Sequence, residues 1–347
     1  MTETDHSSRA GWPFRGVCLG VPRQADLDVF QRLIAEVLPR HSCNALVLLI
    51  RYQYAFQSHP QVSDGEPLTR AQAAGLTRLC QEHGIRLIPK MNLLGHQSGR
   101  ERGSELGLLR AYPAFDETPD LPAVRYCRSL CPRHPQALGV VADLIDELMD
   151  AFQADAIHVG LDEVFEIGHC PRCQGTPNAA LFSEWVHALH DHVVGRRQAR
   201  MFMWGDRLLD AETTGYGEWE ASANHTWEGI ADVPRDIVIC DWHYEVRDAY
   251  PSIPFFVEQG FDLIACPWKD LPATEALLRY AAAHGQTART RSDRERVLGV
   301  LQTSWCDAGA VARYLCGLDP AIAGTPRLAG DSFQRAMAYG WRVVSDE

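Results

Sequence analysis

Apolar positions along the chain alternate between two periods. In Ala156–Val164 the side chains of Ile157, Val159 and Leu161 alternate with smaller or polar residues, the two-residue repeat of a strand, and the run ends in two adjacent acids, Asp162 and Glu163. Seven more apolar runs read as strands: Trp12–Pro22, Asn44–Ile50, Ile85–Gly95, Ala199–Leu208, Asp236–Tyr244, Phe261–Asp270 and Val297–Asp307. Asn44–Ile50 is apolar at nearly every position, which suits a strand covered on both faces.

Helical spacing fills most of the intervals. Leu27, Phe30, Ile34 and Leu38 share a face in Gln24–Leu38, which Pro39 ends. Thr69-x-x-Gln72 reads as a capping box opening a helix to His83, closed by Gly84. Arg133–Phe152 turns Leu138, Val141, Leu144, Ile145, Leu148 and Phe152 inward. Further helices are expected over Asn178–Val194, over Tyr250–Gln259 with Gly260 as its stop, and over Pro272–His284 capped by Gly285. Gln97–Pro132 and the segment from Leu208 to Arg235 are long and irregular. Alternating strands and helices predict a parallel sheet, and eight such units predict an α/β fold of one kind, a single (β/α)8 TIM barrel with long loops after strands 3, 4 and 5. The barrel is expected to span 1–347 as one domain, with a C-terminal helical segment, 308–347, packed on it. A doubly wound open sheet is the competing layout, but no Gly-x-Gly-x-x-Gly follows the first strand.

Composition narrows the partners. The chain has 347 residues, 46% of them hydrophobic, enough for a large core. Its net charge is −12 and it has no Lys/Arg stripe, so nucleic acid is not an expected partner. No apolar run reaches membrane-spanning length, and the N-terminal MTETDHSSRAGWPFRG has no apolar signal-peptide core, so a cytoplasmic location and no membrane partner are expected. Eleven cysteines, with Cys18, Cys240 and Cys266 inside apolar strands, fit buried reduced thiols better than a disulfide framework.

Candidate chemistry collects at the C-terminal strand ends, where such barrels keep their active sites. Strand one ends near Arg23, strand two at Arg51-Tyr52, strand three at Asn92 and His96, and strand four at Asp162-Glu163. Strand five ends at Trp204 and Asp206, strand six at Asp241, Trp242, His243 and Tyr244, strand seven at Trp268 and Asp270, and strand eight at Trp305 and Asp307. A bare Asp-Glu pair is more often a solvated acidic turn than a site. Four of the nine tryptophans at consecutive strand ends, each near an acid, instead describe a cup with flat apolar walls and hydrogen-bond acceptors, which suits the apolar C–H faces and polar edge of a sugar. Two adjacent acids repel, so one is expected to hold its proton near neutral pH, as a general acid must.

His158-Val-Gly-Leu-Asp162-Glu163 resembles the His-x-Gly-x-Asp-Glu signature of glycoside hydrolase family 20, the β-N-acetylhexosaminidases, and in character the hexosaminidase D-like and bacterial branch. Leu94-Gly95-His96-Gln97 resembles that family's Pro-Gly-His segment, Met203-Trp204-Gly205-Asp206 its Trp-x-Asp strand five, and Trp305-Cys306-Asp307 its Trp-x-Glu strand eight. The resemblance implies a substrate-assisted reaction in which the sugar's 2-acetamido oxygen attacks the anomeric carbon. It gives Glu163 the role of general acid and then base, and Asp162 that of holding the acetamide N–H. It places Arg23 on sugar hydroxyls and Asp307 in the family's glutamate position, makes Trp242 or Trp305 the floor of the acetamide pocket, and implies exo action with no cofactor required for catalysis. His158 is either a buried support for the acids or a satisfied core histidine. The chain departs from the family in having Trp268-Lys-Asp270 for Tyr-x-Asp, so that Trp268 or Tyr244 would grip the acetamide oxygen, and in Arg51 replacing an acid. Strict strand alternation would point Asp162 and Glu163 to opposite faces, so both reach one ligand only if the strand ends or bends there.

Cys170-Pro-Arg-Cys173 has zinc-ligand spacing and, with Cys127 and Cys131 upstream, would make a four-cysteine structural zinc clip; reduced thiols in a chance turn are the alternative. A carbohydrate substrate is the expected partner, and a homodimer is possible. Two other functions stay open: a glycosidase using a distant carboxylate such as Asp206 or Asp307, on a non-acetamido or anionic sugar, and a catalytically silent sugar-binding barrel.

Overall fold

A computed structural model of the chain describes residues 11–287 and 295–342. Among these, eight parallel strands close in sequence order: β1 (Phe14–Gly20), β2 (Ala45–Leu49), β3 (Arg86–Lys90), β4 (Ala156–His158), β5 (Arg200–Trp204), β6 (Val238–Trp242), β7 (Asp262–Cys266) and β8 (Val297–Thr303). This is the (β/α)8 barrel that the alternation of periods predicts. Every residue of β2 and β6 is buried; β2 accordingly reads as a continuous apolar run, whereas β6 also buries Asp241. The strands are shorter than the apolar runs, which continue beyond them with scattered bonds to the neighbouring run, as where the Leu93 N–H donates to the Val159 carbonyl at 3.0 Å.

The principal helices are α1 (Leu27–Arg32), α2 (Arg70–Glu82), α3 (Ala137–Ala151), α4 (Asn178–His190), α5 (Ser252–Glu258), α6 (Leu271–Thr287), α7 (Ala308–Leu315) and α8 (Thr325–Arg342). The capping box opens α2: the Gln72 N–H donates to Thr69 Oγ1 at 3.2 Å and the Thr69 N–H to Gln72 Oε1 at 2.8 Å. Three expectations are corrected. Helix α3 starts at Ala137, and Leu138 in its first turn is 36% exposed rather than inward. Helix α6 runs through Gly285 to Thr287, so that glycine is not its cap. The Gln24–Leu38 segment is helical but not uniformly α, with a 3₁₀ turn before α1 and a π-helical turn, Leu33–Val37, after it.

Contacts divide the chain into two compact units, Met1–Val47 with Leu79–Arg86 and His243–Glu347, and Leu48–Arg78 with Leu87–Trp242. In the first, β8 lies between β7 and β1, with Leu263 opposite Val297 and Cys18 opposite Thr303. Its C-terminal helix α8 packs against this sheet: the Trp12 N–H donates to the Gly340 carbonyl at 3.0 Å, and Gln302 Nε2 to that of Ala329 at 3.3 Å. The last residues expected in that helical segment, 343–347, lie outside the described residues. No helix among the described residues is long and apolar enough to cross a membrane.

In the second unit β3 to β6 pair in register, with Lys90 opposite His158, His158 opposite Phe202, and Trp204 opposite Cys240. The irregular segment after β3 is organised by Arg128, whose side chain is fully buried. Its guanidinium donates to Asp116 Oδ2 at 2.8 Å and to the Thr118 and Leu121 carbonyls at 2.6 Å, which gives a long loop the internal bonds it would otherwise lack.

Strand β4 stops at His158, and Gly160, Leu161 and Glu163 all have positive φ, at 75°, 73° and 51°. The bend breaks the alternation that would have separated Asp162 from Glu163. Gly160 is required on two counts: its φ is left-handed, and a Cβ there would stand 2.6 Å from Asn92 Oδ1 and 2.8 Å from Asn92 Cα. Gly160→Ala should therefore lower the unfolding free energy in urea by on the order of 2 kcal/mol. Gly139→Ala, on the exposed face of α3 with nothing within 4 Å of the added methyl, should raise it by up to about 1 kcal/mol. A Gly160→Ala protein as stable as the parent would show that the bend is not fixed as described.

Candidate active site

The bend delivers Asp162 and Glu163 to one histidine. His96 Nε2 lies 3.1 Å from Asp162 Oδ2 and 3.2 Å from Glu163 Oε2. The ligand atoms of all three residues lie within 4.8 Å of one another. The chain makes this possible at Gly95, where a Cβ would meet the Asp162 carbonyl at 3.0 Å, and at His96 itself, which has a φ of 57°. The His96 N–H is held by the Cys127 thiol, 3.2 Å away.

Asp162 has a second anchor: Asn92 Nδ2 donates to its Oδ1 at 3.0 Å, and Lys90 Nζ donates to Asn92 Oδ1 at 2.6 Å. Burial favours a neutral Asp162, but His96 and Lys90 outweigh it and hold the carboxyl well below the usual carboxylate range. Burial likewise opposes charge on His96, and the two acids overcome it, pushing its pKa up to about 9. The centre is thus an imidazolium shared between an ionised aspartate and a glutamate.

Behind the acids lies a second polar layer. The Glu163 N–H donates to Asp206 Oδ2 at 2.9 Å, which also accepts from Arg207 Nε at 2.7 Å, while Trp242 Nε1 donates to Asp206 Oδ1 at 3.3 Å. Burial raises the Asp206 pKa to about 6 despite the opposing Arg207. The Arg207 NH2 group donates to the carbonyls of Glu218, Trp219 and Ala221, tying the loop after β5 to this layer. His158 is wholly buried. Its Nδ1 accepts from the Gly160 N–H at 3.0 Å, and its ring lies 4.4 Å from that of Trp204, so it braces the bend and does not face a ligand. Burial and Lys90 keep it neutral. Trp204 is 1% exposed and is a wall of the core, not of the mouth.

Four of these residues were not legible as site residues: Lys90, Arg207, Tyr126 and Trp219. Lys90 had a signal, a charge inside an apolar strand. Tyr126 and Trp219 sit on loops without periodicity, where Tyr126 meets His96 edge-on at 5.5 Å and Trp219 at 5.3 Å, and Trp219 meets Phe165 at 5.0 Å. Tyr126 and Trp219 are 40% and 44% exposed, an aromatic face beside the acids.

The first unit holds the remaining strand-end residues. Arg23 pairs with Asp307 at 2.8 Å, and Asp307 also caps α7 through the Ala310 N–H at 2.7 Å. Trp305 Nε1 donates to the Tyr244 hydroxyl at 2.8 Å. The Trp268 ring lies 5.3 Å from that of Tyr244, and its Nε1 is buried with no hydrogen-bond partner among the described residues. Asp270 is exposed and caps the first turn of α6 through the Ala273 N–H at 2.8 Å.

The expected four-cysteine group is corrected. Cys131, Cys170 and Cys173 come together, but their fourth companion is the buried Glu117, while Cys127 is engaged at His96. All cysteines are free thiols, and nine of the eleven are buried.

The chain after the fourth strand of this closed parallel barrel thus bends to present an acid pair, braced by Asn92 and His96 from beyond the third strand. The family model for the glycosyl hydrolase family 20 catalytic domain matches residues 47–308, most of the chain, and the chain belongs to that family. No curated protein matches it in sequence. Its fold is similar to a chitobiase from Flavobacterium johnsoniae (TM-score 0.64, 16% identity, 96% of this chain and 52% of that one). It is also similar to the exo-β-N-acetylglucosaminidase of Vibrio harveyi, solved with N-acetylglucosamine (0.61, 16%, 96% and 58%), and to a β-N-acetylhexosaminidase from Bacteroides fragilis (0.63, 15%, 93% and 66%). The chain thus spans between half and two thirds of the length of these relatives.

The His96 bridge makes a prediction about stability. His96 binds its proton more tightly in the folded chain, with a pKa of about 9, than at its ordinary 6.5. Its contribution is therefore fully present below pH 6.5 and is lost as pH rises through about 9, a change of about 3 kcal/mol. Urea unfolding should show this loss in the parent and not in His96→Gln. A parallel pH dependence in both proteins would place the charge elsewhere.

Proposed function

We propose that the chain is an exo-acting β-N-acetylhexosaminidase that removes terminal N-acetylglucosamine- or N-acetylgalactosamine-type residues by a substrate-assisted, retaining reaction. The observation that carries this reading is the single imidazole nitrogen bridging an ionised Asp162 to Glu163. Two carboxylates that each bring one oxygen within 4.8 Å of the other's leave no room for the ring and water that separate an inverting pair by about 6.5–9.5 Å. They also leave one strand end together and so meet a substrate from one side. That geometry suits a reaction whose nucleophile is part of the substrate.

Each step falls to a group suited to it. Asp162 stays anionic and would accept the acetamide N–H, stabilising the positive charge that develops as the acetamido oxygen attacks the anomeric carbon. Glu163 would protonate the departing glycosidic oxygen, and the carboxylate this leaves would face the charged His96. Water would then give its proton back to Glu163 as it opens the bicyclic intermediate. No cofactor enters these steps. Asp206 is a poor alternative nucleophile, since Arg207, Trp242 and the Glu163 N–H already engage its oxygens.

For the acetamide oxygen the half-buried Tyr244 hydroxyl is the better donor than Trp268, whose Nε1 is shielded from any ligand. Arg23 and Asp307 would hold ring hydroxyls, and Trp305, Trp242, Tyr126 and Trp219 would provide apolar faces for sugar rings.

On aryl β-N-acetylglucosaminide, Glu163→Gln should lower kcat/KM by about 10²–10⁴-fold and Asp162→Asn by about 10²–10³-fold, both measured well below the melting transition, which loss of a His96 partner should lower. Tyr244→Phe should cost about 10-fold or more on the acetamido sugar. The parent should leave the plain β-glucoside intact. Equal cleavage of the glucoside would point to an enzyme carboxylate as nucleophile, and folded protein that turns over neither sugar would point to a silent binder.

A further inference from the structure

The group of Glu117, Cys131, Cys170 and Cys173 has no part in the proposed reaction. All four residues are buried, and one ligand atom from each lies within 4.8 Å of the others. Three segments build the group. Glu117 and Cys131 come from the long loop after β3, and Cys170-Pro-Arg-Cys173 forms a tight turn beyond Glu163, with the Cys173 N–H donating to the Cys170 carbonyl at 2.9 Å.

Cys131 Sγ lies 3.3 Å from Cys170 Sγ and 3.6 Å from Cys173 Sγ. Those separations are far beyond a disulfide bond of about 2.05 Å. They approach the roughly 3.8 Å between two sulfurs that each sit about 2.3 Å from a tetrahedral zinc.

Glu117 is the second, independent pointer. Its Oε1 accepts from the backbone N–H groups of Gly168, His169 and Cys170 at 2.8, 2.9 and 3.4 Å. Its Oε2 is buried and has no hydrogen bond of ordinary geometry among the described residues, with only thiols such as Cys173 beside it. A carboxylate oriented by three donors at one oxygen, with its other oxygen left among thiols, is costly unless a cation meets it.

We propose that Glu117, Cys131, Cys170 and Cys173 bind one structural zinc ion. Three thiolates and a carboxylate select zinc over the harder magnesium or calcium, and four protein ligands close the tetrahedron so that no position is left for water. Zinc binding displaces the three thiol protons into solvent. The metal clasps the loop after β3 to the segment that follows Asp162-Glu163. That loop also carries Cys127, whose thiol holds the His96 backbone, so the clasp steadies the histidine bridge without touching it.

Elemental analysis of full-length protein, purified with a phosphine reductant and dialysed against metal-free buffer, should find about one zinc per chain. Cys131→Ser and Cys173→Ser should lose it, and Cys127→Ala should keep it. Titration of the native parent with an organomercurial should release that zinc in step with three thiols, a readout that does not depend on any variant folding. Cobalt substitution should give cobalt–thiolate charge-transfer absorption that Glu117→Gln shifts. Zinc absent from reduced parent protein would overturn the proposal, as would zinc retained by Cys131→Ser, which would place it at His96, Asp162 and Glu163. A Cys131–Cys170 or Cys131–Cys173 disulfide found by mass spectrometry in zinc-free parent protein would overturn it as well.

Discussion

One proton on one imidazole organises the centre of this molecule. Without a charge on His96, Asp162 and Glu163 would be two half-buried acids at the mouth of an apolar barrel, an arrangement that burial and mutual repulsion both oppose. With it, the pair becomes a compact unit in which one acid is fixed as an anion and the other is presented beside it. The surrounding parts serve that unit. Lys90 and Asn92 fix the far oxygen of Asp162, Asp206 fixes the backbone of Glu163, and Arg207 compensates the charge of Asp206 while bonding the loop that carries Trp219.

The barrel was readable because its cause is periodic. The continuous apolar run of β2 marks a strand covered on both faces, and the alternation leading to Asp162 marks β4 as a strand although all three of its residues are buried. Helix ends were less readable. Gly285 looked like a stop, but α6 continues through it, and Leu138 looked inward because the face was extrapolated from the middle of α3 into its first turn.

At the site, strand-end positions identified Asp162, Glu163, His96 and Asp206, since an acid or histidine at the end of an apolar run is conspicuous. Tertiary contact then separated residues that spacing had grouped. Trp204 and His158 are inner supports, Asp270 is a helix cap, and Cys127 belongs to His96 instead of the other cysteines. Glu117 had no signal at all, because its place beside Cys131, Cys170 and Cys173 depends on how an aperiodic loop folds back.

The exit of β4 has a consequence for recognition. Gly160, Leu161 and Glu163 adopt left-handed conformations in succession around Asp162, at a cost of order 1–3 kcal/mol for each non-glycine, and packing against Asn92 and Gly95 holds them there. The disorder of that segment is lost when the chain folds, not when a ligand arrives. A ligand at this strand end would therefore meet backbone already ordered by folding.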